Sequence, residues 1–210
     1  MPSPTFYFVT IAFIISLLFY NKFKNTKYVY FTYFLVFTFI IELLGYIYAK
    51  VLLINTNPIY NTYIILTCLF YILFYKSLFK NKTNKKIMNA FVIIYLLFTI
   101  FDFVILKSHF INDFLSNNFV FGPILIALIL ILFLIEIINN EAVIFNIKKT
   151  FIFWVSVGAL LFYIGVIPII ITSELLNFDG LYDNILSGLN FIMYGSFSLG
   201  YILSDKKYNY

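Results

Sequence analysis

Seven stretches of this 210-residue chain are each apolar enough and long enough to cross a lipid bilayer. A transmembrane helix needs about 20 predominantly apolar residues, because the hydrocarbon core is about 30 Å thick. The predicted spans are residues 4–20, 28–49, 58–79, 87–106, 119–138, 150–172 and 185–203. Runs such as 123–135 do not alternate between apolar and polar residues, so barrel strands are the poorer interpretation. The sequence therefore predicts an all-α, polytopic integral membrane protein with one seven-helix transmembrane domain over residues 1–210.

Composition supports lipid as the solvent of this chain. Hydrophobic residues make up 63% of it and charged residues 11%, whereas a soluble domain has roughly 45 to 50% apolar and about 25% charged residues. The spans leave no room for a separate soluble domain of about 100 residues. The first span is the shortest, and it lacks the positively charged start of a secretory signal, so it is predicted to be retained.

The positions of the lysines predict how the chain is oriented. All 14 basic residues are lysines, and cytoplasmic loops are enriched in basic residues. Only Lys50 and Lys107 fall on the predicted outer side. Twelve fall at the predicted inner ends and connections: Lys22, Lys24, Lys27, Lys76, Lys80, Lys82, Lys85, Lys86, Lys148, Lys149, Lys206 and Lys207. The pattern predicts an outer N-terminus, an inner C-terminus and an odd number of spans. The net charge of +5 then reflects the orientation of the chain in the membrane, and it favours contact with anionic lipid head groups over nucleic acid.

Glu42 is the most informative side chain inside a span. An ionisable group in hydrocarbon is costly, and it usually faces a cavity or a partner. Glu42 is predicted to lie roughly 10 Å below the outer end of the second span. Thr38, Glu42 and Tyr46 form a stripe at helical spacing, and Gly45 beside them allows a neighbouring helix to approach closely. Two interpretations stay open: a functional carboxyl, or a packing residue whose partner is a Tyr or Asn.

Other polar side chains fall at a similar depth. Asn61 and Tyr63 lie in the first turns of the third span, and Asp102 lies near the outer end of the fourth span. A polar stripe on the seventh span consists of Ser187, Asn190, Tyr194, Ser198 and Tyr201. These positions predict a pocket toward the outer leaflet, built by spans two, three, four and seven. The predicted ligand-binding residues are Glu42, Asn61, Tyr63, Asp102, Asn190 and Tyr194.

Several of these residues also have a structural interpretation. Asp102 could be an interfacial carboxylate, and Asn61 could cap or bridge helices. Ser196 and Gly200 have the small-residue spacing of close helix packing. Trp154 is placed as a residue of the interfacial aromatic belt, and Pro168 is expected to kink the sixth span.

Recognisable catalytic constellations are not found. His109 is the only histidine and Cys68 the only cysteine, so neither a zinc site nor a pair of haem ligands can be assembled. No phosphate-binding glycine loop is present, and the seventh span has no lysine for a Schiff base. No cofactor, metal or catalytic residue is therefore predicted.

Four short elements of the sequence carry a resemblance. They are Glu42-Leu-Leu-Gly45, Asn57-Pro-Ile-Tyr60-Asn61-Thr-Tyr63, Phe153-Trp154-Val-Ser-Val-Gly158 and Asn190-Phe-Ile-Met-Tyr194. Together they resemble the seven-helix membrane regions of Bacteroidetes proteins, which occur alone or ahead of a sensor histidine kinase. The resemblance implies a multi-pass protein of a bacterial inner membrane with a role in signalling. The bias toward Phe, Ile, Asn, Lys and Tyr, without Arg, also fits an AT-rich bacterial genome.

Three functions are compatible with these observations. The leading hypothesis is a sensory or ligand-binding module that binds a small molecule near the outer leaflet and signals to a separate cytoplasmic partner. The alternative is a small-solute or proton-coupled transporter that uses Glu42 as its coupling group. The third is an intramembrane enzyme that acts on lipid with Glu42 and Asp102. Membrane lipid is an expected partner in all three, and nucleic acid in none.

Overall fold

A computed structural model of the protein describes residues 3–106, 108–139, 146–175 and 181–208, and these residues form helices and connections without any strand. The main helices are α1 (Pro4–Leu18), α2 (Tyr20–Phe23), α3 (Val29–Ile47), α4 (Asn57–Leu78), α5 (Lys82–Val104), α6 (Ser116–Ile138), α7 (Phe151–Leu175) and α8 (Leu181–Leu203). A π-helical turn, Tyr48–Leu52, extends α3. Each predicted span coincides with one of these helices, apart from a few residues at the ends.

Six of the helices are long and apolar enough to cross a membrane, namely α3 to α8. The protein is thus a multi-pass membrane protein by the length and composition of its helices. On α5, the large apolar residues Ile93, Leu97 and Ile100 are all more than half exposed, as expected where lipid covers the surface. Helix α1 has 15 residues and falls short of a full span, so the seventh crossing stays a prediction.

The helix starts are set by local sequence. The Ser3 hydroxyl accepts a hydrogen bond from the Phe6 N–H (3.3 Å), and Pro4 takes the first position of α1, where no helical N–H bond is lost. Asn81 caps α5 by accepting from the Thr83 N–H at 2.8 Å. The extension of α3 ends at Leu53, whose φ of 55° lies in the left-handed region that terminates helices.

Six helices pack side by side in a closed ring. Going round it, α1 packs on α3, α3 on α4, α4 on α6, α6 on α7, α7 on α8, and α8 returns to α1. Helix α5 lies outside this ring, against α4 and α6. Buried aromatic side chains fill the interior, among them Phe31, Tyr71, Tyr75 and Phe197. The ring order decides which helices can face a central cavity.

Helices α7 and α8 approach closely through small residues. A Cβ placed on Gly158 would lie 2.5 Å from the Ser196 Cβ, so the glycine is required for this contact. A Cβ on Gly200 would lie 3.3 Å from the Phe151 carbonyl oxygen. Ser196 and Gly200 therefore serve packing here.

The lysine-bearing ends of the helices lie together at one end of the bundle. The Lys22 ammonium donates a hydrogen bond to the Tyr201 carbonyl at 2.9 Å, and burial lowers the pKa of Lys22. The Lys27 ammonium donates to the Ser77 carbonyl. The Trp154 indole donates to the Lys148 carbonyl at 2.8 Å at this same end. These contacts lie at the end of the bundle that the lysine pattern predicts to be the inner face.

Candidate functional site

A cavity of about 310 Å³ lies inside the helix ring, toward the predicted outer end, and we call it the outer cavity. Its volume is at the lower end of the roughly 300 to 1,000 Å³ typical of small-molecule sites. The described residues that line it are Ser3, Thr5, Glu42, Tyr60, Tyr63, Ile64, Thr67, Cys68, Phe114, Phe119, Gly122, Pro123, Ile126, Phe162, Tyr163, Leu186, Asn190, Met193 and Tyr194. They come from α1, α3, α4, α6, α7, α8 and the connection between α5 and α6.

Four of the six predicted ligand-binding residues meet in this cavity. Glu42 reaches it from α3, Tyr63 from α4, and Asn190 and Tyr194 from α8. The helices that form the cavity wall differ from those predicted. Helix α5 was predicted to contribute but supplies none of the described lining residues, whereas α1, α6 and α7 supply residues without having been predicted to. The ring order is the reason: α5 is separated from the interior by α4 and α6.

Glu42 is half-buried in the cavity wall and has no hydrogen-bond partner within the described part of the chain. It is also the one charged residue among the described residues that line the cavity. Its carboxyl group interacts electrostatically with the hydroxyls of Tyr60, Tyr63 and Tyr194. The carboxyl therefore lies among polar groups of the cavity and not among lipid tails.

Four tyrosine hydroxyls belong to the cavity, those of Tyr60, Tyr63, Tyr163 and Tyr194. The Tyr63 hydroxyl interacts with the side chains of Thr38, Thr67 and Tyr194, and the Tyr163 hydroxyl interacts with that of Tyr71, but none of these contacts has the distance and angle of a regular hydrogen bond. The Thr67 side chain is 5% exposed, and its hydroxyl oxygen is buried without a regular hydrogen bond. Buried polar groups are nearly always satisfied in folded proteins. Loosely paired polar groups therefore surround this space.

The packing of α3 on α4 positions Tyr60. A Cβ on Gly45 would lie 2.9 Å from the Tyr60 Cζ atom, so only a glycine leaves room for this ring. Glu42 is three residues before Gly45, on the same face of α3. Gly45 therefore allows the Tyr60 phenol to lie across α3, close to the carboxyl.

Asn190 joins α8 to the start of α1. Its side-chain amide donates to the Thr5 hydroxyl at 3.3 Å and to the Leu186 carbonyl at 2.9 Å. Its carbonyl oxygen accepts no hydrogen bond from a described residue, and the residue is 5% exposed. This oxygen adds one more free acceptor to the cavity.

Asn61 lies outside the cavity and holds the outer connection in place. Its amide donates to the carbonyls of Phe110 (2.9 Å) and Asp113 (2.8 Å), and its side-chain oxygen accepts from the Leu115 N–H (3.0 Å). All of its principal hydrogen bonds are thus used within the protein. Of the two interpretations of Asn61, this geometry matches the bridging one.

Asp102 is also placed away from the cavity, and it is fully buried. One carboxyl oxygen accepts from the Ser108 hydroxyl and the Asn117 amide, both at 3.0 Å. The other accepts from the Asn118 amide at 2.5 Å. Asn118 in turn accepts from the Thr99 hydroxyl at 3.0 Å. Asp102 therefore ties the end of α5 to the start of α6, and its lone pairs are occupied.

Sequence reasoning missed five hydroxyl-bearing residues of the cavity: Ser3, Thr5, Tyr60, Thr67 and Tyr163. Tyr60, Tyr63 and Thr67 are spaced by three and four residues on α4, so a polar stripe on that span was available as a signal. Tyr163 is buried in the middle of an apolar helix. Its sequence context gave no comparable signal.

No known protein family, curated protein or solved structure matches this chain. The chemistry of the cavity therefore has to be judged from its own residues. It offers one carboxyl, several hydroxyls and aromatic faces, and its described lining contains no Lys or His. This set is suited to binding a compact ligand with a positive charge or several hydrogen-bonding groups.

Proposed function

We propose that the protein is a seven-span sensory or ligand-binding protein of a bacterial inner membrane, whose outer cavity binds a small organic cation. The proposal rests on one observation: the Glu42 carboxyl accepts no hydrogen bond from a described residue, and it shares one cavity with four tyrosine hydroxyls and the Thr67 hydroxyl. A carboxylate in a membrane is costly unless a partner compensates it. A bound ligand is the partner that this geometry favours.

Charge and aromaticity support a cationic ligand. A carboxylate attracts an ammonium group directly, and a cation over a Tyr or Phe face gains roughly 0.5 to 2 kcal/mol. Tyr60, Tyr63, Tyr163 and Tyr194 supply four such rings around the space that Glu42 reaches. Because the described lining has no basic residue, an anionic ligand lacks a counter-charge there.

The proposed topology places the outer cavity on the periplasmic side, with the N-terminus outside and the C-terminus inside. The lysine distribution supports it, and so does the gathering of Lys22, Lys27 and Lys149 contacts at one end of the bundle. Only Phe19 separates α1 from α2, so the predicted first span, residues 4–20, is helical except at Phe19, and its length meets the lower limit of about 17 residues for a crossing. Reporter fusions test this: alkaline phosphatase should be active after residue 112 and inactive after residue 81. The reverse pattern would overturn the orientation.

Ligand binding is tested with a pair of probes of equal shape. Purified protein in neutral-lipid nanodiscs is titrated with choline and with 3,3-dimethyl-1-butanol, its uncharged counterpart, while thermal unfolding is recorded. Choline should stabilise the protein and the neutral alcohol should not. Equal stabilisation by both would retain the binding site but refute its preference for cations. Failure of these and of a wider panel of primary amines would refute the cation-binding function.

The variant Glu42→Gln tests whether the Glu42 carboxyl binds the cation. It keeps the size of the side chain and removes the charge, so choline affinity should fall by about 10- to 100-fold, since the attraction between two close opposite charges contributes about 1.5 kcal/mol or more. Tyr30→Phe is the matched control, because Tyr30 is exposed on the same helix and outside the cavity. Unchanged affinity in Glu42→Gln would rule out this carboxyl as the binding group.

Sensing is separated from transport by a flux measurement. Protein in proteoliposomes is given radiolabelled choline outside, and uptake is followed over time. Stabilisation without uptake supports a binding or sensory role. Uptake that disappears in Glu42→Gln favours the transporter instead. A cytoplasmic partner, if sensing holds, should crosslink to the lysine-bearing end in a ligand-dependent way.

A further inference from the structure

A second cavity, of about 570 Å³, lies at the lysine-bearing end of the bundle, and we call it the inner cavity. It is formed by the turn before α3, the α4–α5 connection, the ends of α6 and α7, and the C-terminal segment. Four lysines from three separate parts of the sequence line it: Lys27, Lys80, Lys85 and Lys207. From this arrangement we infer that the inner cavity binds a phosphate-bearing anion.

The carboxylate beside these lysines already accepts hydrogen bonds from the protein. Glu136 is the one acidic residue among the described residues that line the inner cavity. One of its oxygens accepts from the Lys80 N–H (2.6 Å) and the Asn81 N–H (3.3 Å), and the other accepts from the Asn84 amide (2.7 Å). Its carboxylate thereby satisfies the free N–H groups at the start of α5. No ammonium of the four lysines forms an ion pair within the described part of the chain.

The lysines therefore retain donors for a ligand. The Lys27 ammonium donates one of its three N–H groups to the Ser77 carbonyl, which leaves two donors. The Lys207 ammonium lies 5.8 Å from the centre of the Tyr208 ring and has no hydrogen bond to a described residue. Four like charges around one space repel each other, and an anion of two charges relieves that repulsion. Lysine is a common phosphate ligand because it acts as a point charge.

The floor of the inner cavity is apolar. Phe133, Ile137 and Ile152 line it and are buried or nearly so. A phosphate with an organic substituent fits such a site better than a bare ion, because the substituent can cover these side chains. Two sources share this chemistry: the head group of an anionic phospholipid, and a soluble phosphate ester.

The experiment distinguishes a built cavity from a diffuse basic surface. The double variant Lys80→Gln, Lys85→Gln removes two lining charges, and Lys82→Gln, Lys86→Gln removes two charges from the first turns of α5 that lie outside the cavity. Each protein is placed in phosphatidylcholine nanodiscs and titrated with glycerol 1-phosphate. A parallel series of nanodiscs contains increasing phosphatidylglycerol. Thermal unfolding and native mass spectrometry report binding, and the unfolding temperature without ligand checks that each variant is folded.

We expect the lining variant to lose about tenfold or more in apparent affinity and the control variant less than threefold, since a surface lysine contributes about 1 kcal/mol toward an anionic lipid. Stabilisation by glycerol 1-phosphate would identify a soluble ester as the ligand, and stabilisation by phosphatidylglycerol alone would identify a lipid head group. Equal losses in the two variants would show a diffuse surface effect and overturn the inference. Absence of binding by both probes would also overturn it.

Discussion

Replacing Asp102 tests whether buried hydrogen bonds hold the outer connection of this protein. The variant Asp102→Ala removes the acceptor of three donors, from Ser108, Asn117 and Asn118. Asn118 is fully buried, so its amide is left unsatisfied at a cost of about 1 to 3 kcal/mol. Ser108 and Asn117 are partly or fully exposed and can turn to water. We expect a total loss of about 2 to 4 kcal/mol in the free energy of unfolding.

Asp102→Asn should be much milder, for a reason that the network itself provides. The new amide oxygen keeps the two hydrogen bonds on its side, and its NH₂ group faces Asn118. The Asn118 amide can rotate, accept from that NH₂ group and donate to the Thr99 hydroxyl. Thr99 still donates to the Tyr95 carbonyl, with which it is bonded at 2.9 Å. Every buried group is satisfied again, so the expected loss is about 1 kcal/mol, the difference between a charge-assisted and a neutral bond.

Unfolding in mixed micelles with increasing SDS, followed by far-ultraviolet circular dichroism, measures both losses. Limited proteolysis of residues 108–115 reports whether the connection opens locally. Asp113→Asn is a suitable control, because Asp113 is exposed and accepts one bond from the His109 N–H. If the alanine and asparagine variants lost stability equally, or if Asp102→Ala cost less than 1 kcal/mol, the proposed role of the network would be wrong.

Further predictions concern helix packing, the contacts of Glu136 and the outer cavity. Gly158→Ala should lower stability by about 1 to 3 kcal/mol by forcing α7 from α8, whereas Gly195→Ala, with open space around its Cβ, should be neutral or stabilising in the same SDS titration. Glu136→Ala should cost about 2 kcal/mol by removing the acceptor of the Lys80 and Asn81 N–H groups and of the Asn84 amide, and Glu136→Gln, which keeps one oxygen, about half of that. Glu42→Gln should raise the unfolding temperature of the ligand-free protein, because it removes an unpaired carboxyl. A fall in that temperature would show that Glu42 has a structural partner instead.

The helices were predictable because the membrane imposes them. Every backbone polar group in hydrocarbon must be satisfied within its own segment, so long apolar runs have few structural options. The same reasoning limited the prediction of helix neighbours. Lipid-facing and interior residues of a span are both apolar, so nothing in residues 87–106 indicated that α5 lies outside the ring. The predicted contribution of that span to the pocket failed for this reason.

Four of the six predicted site residues line the outer cavity, and the two that lie outside it share one feature. Glu42 and Tyr63 are deep in their helices, where only a central cavity can accept polar groups. Asn61 and Asp102 lie close to the outer connection, whose backbone carbonyls and N–H groups also require partners. The depth of a residue along its helix can be estimated from the sequence. That backbone groups of residues 110–115 take the Asn61 side chain as a hydrogen-bond partner became clear only from the fold, which places those residues against α4.

The contrast among three carboxylates argues that the outer cavity is a site rather than a packing defect. Asp102 accepts three hydrogen bonds, and so does Glu136. The chain therefore satisfies its acids fully where it uses them for structure. Glu42 is surrounded by groups that could donate to it, yet none of the described residues does so. The cavity that Glu42 and these tyrosines help to line has a volume of about 310 Å³. A packing residue would have closed that space, and a binding residue needs it open.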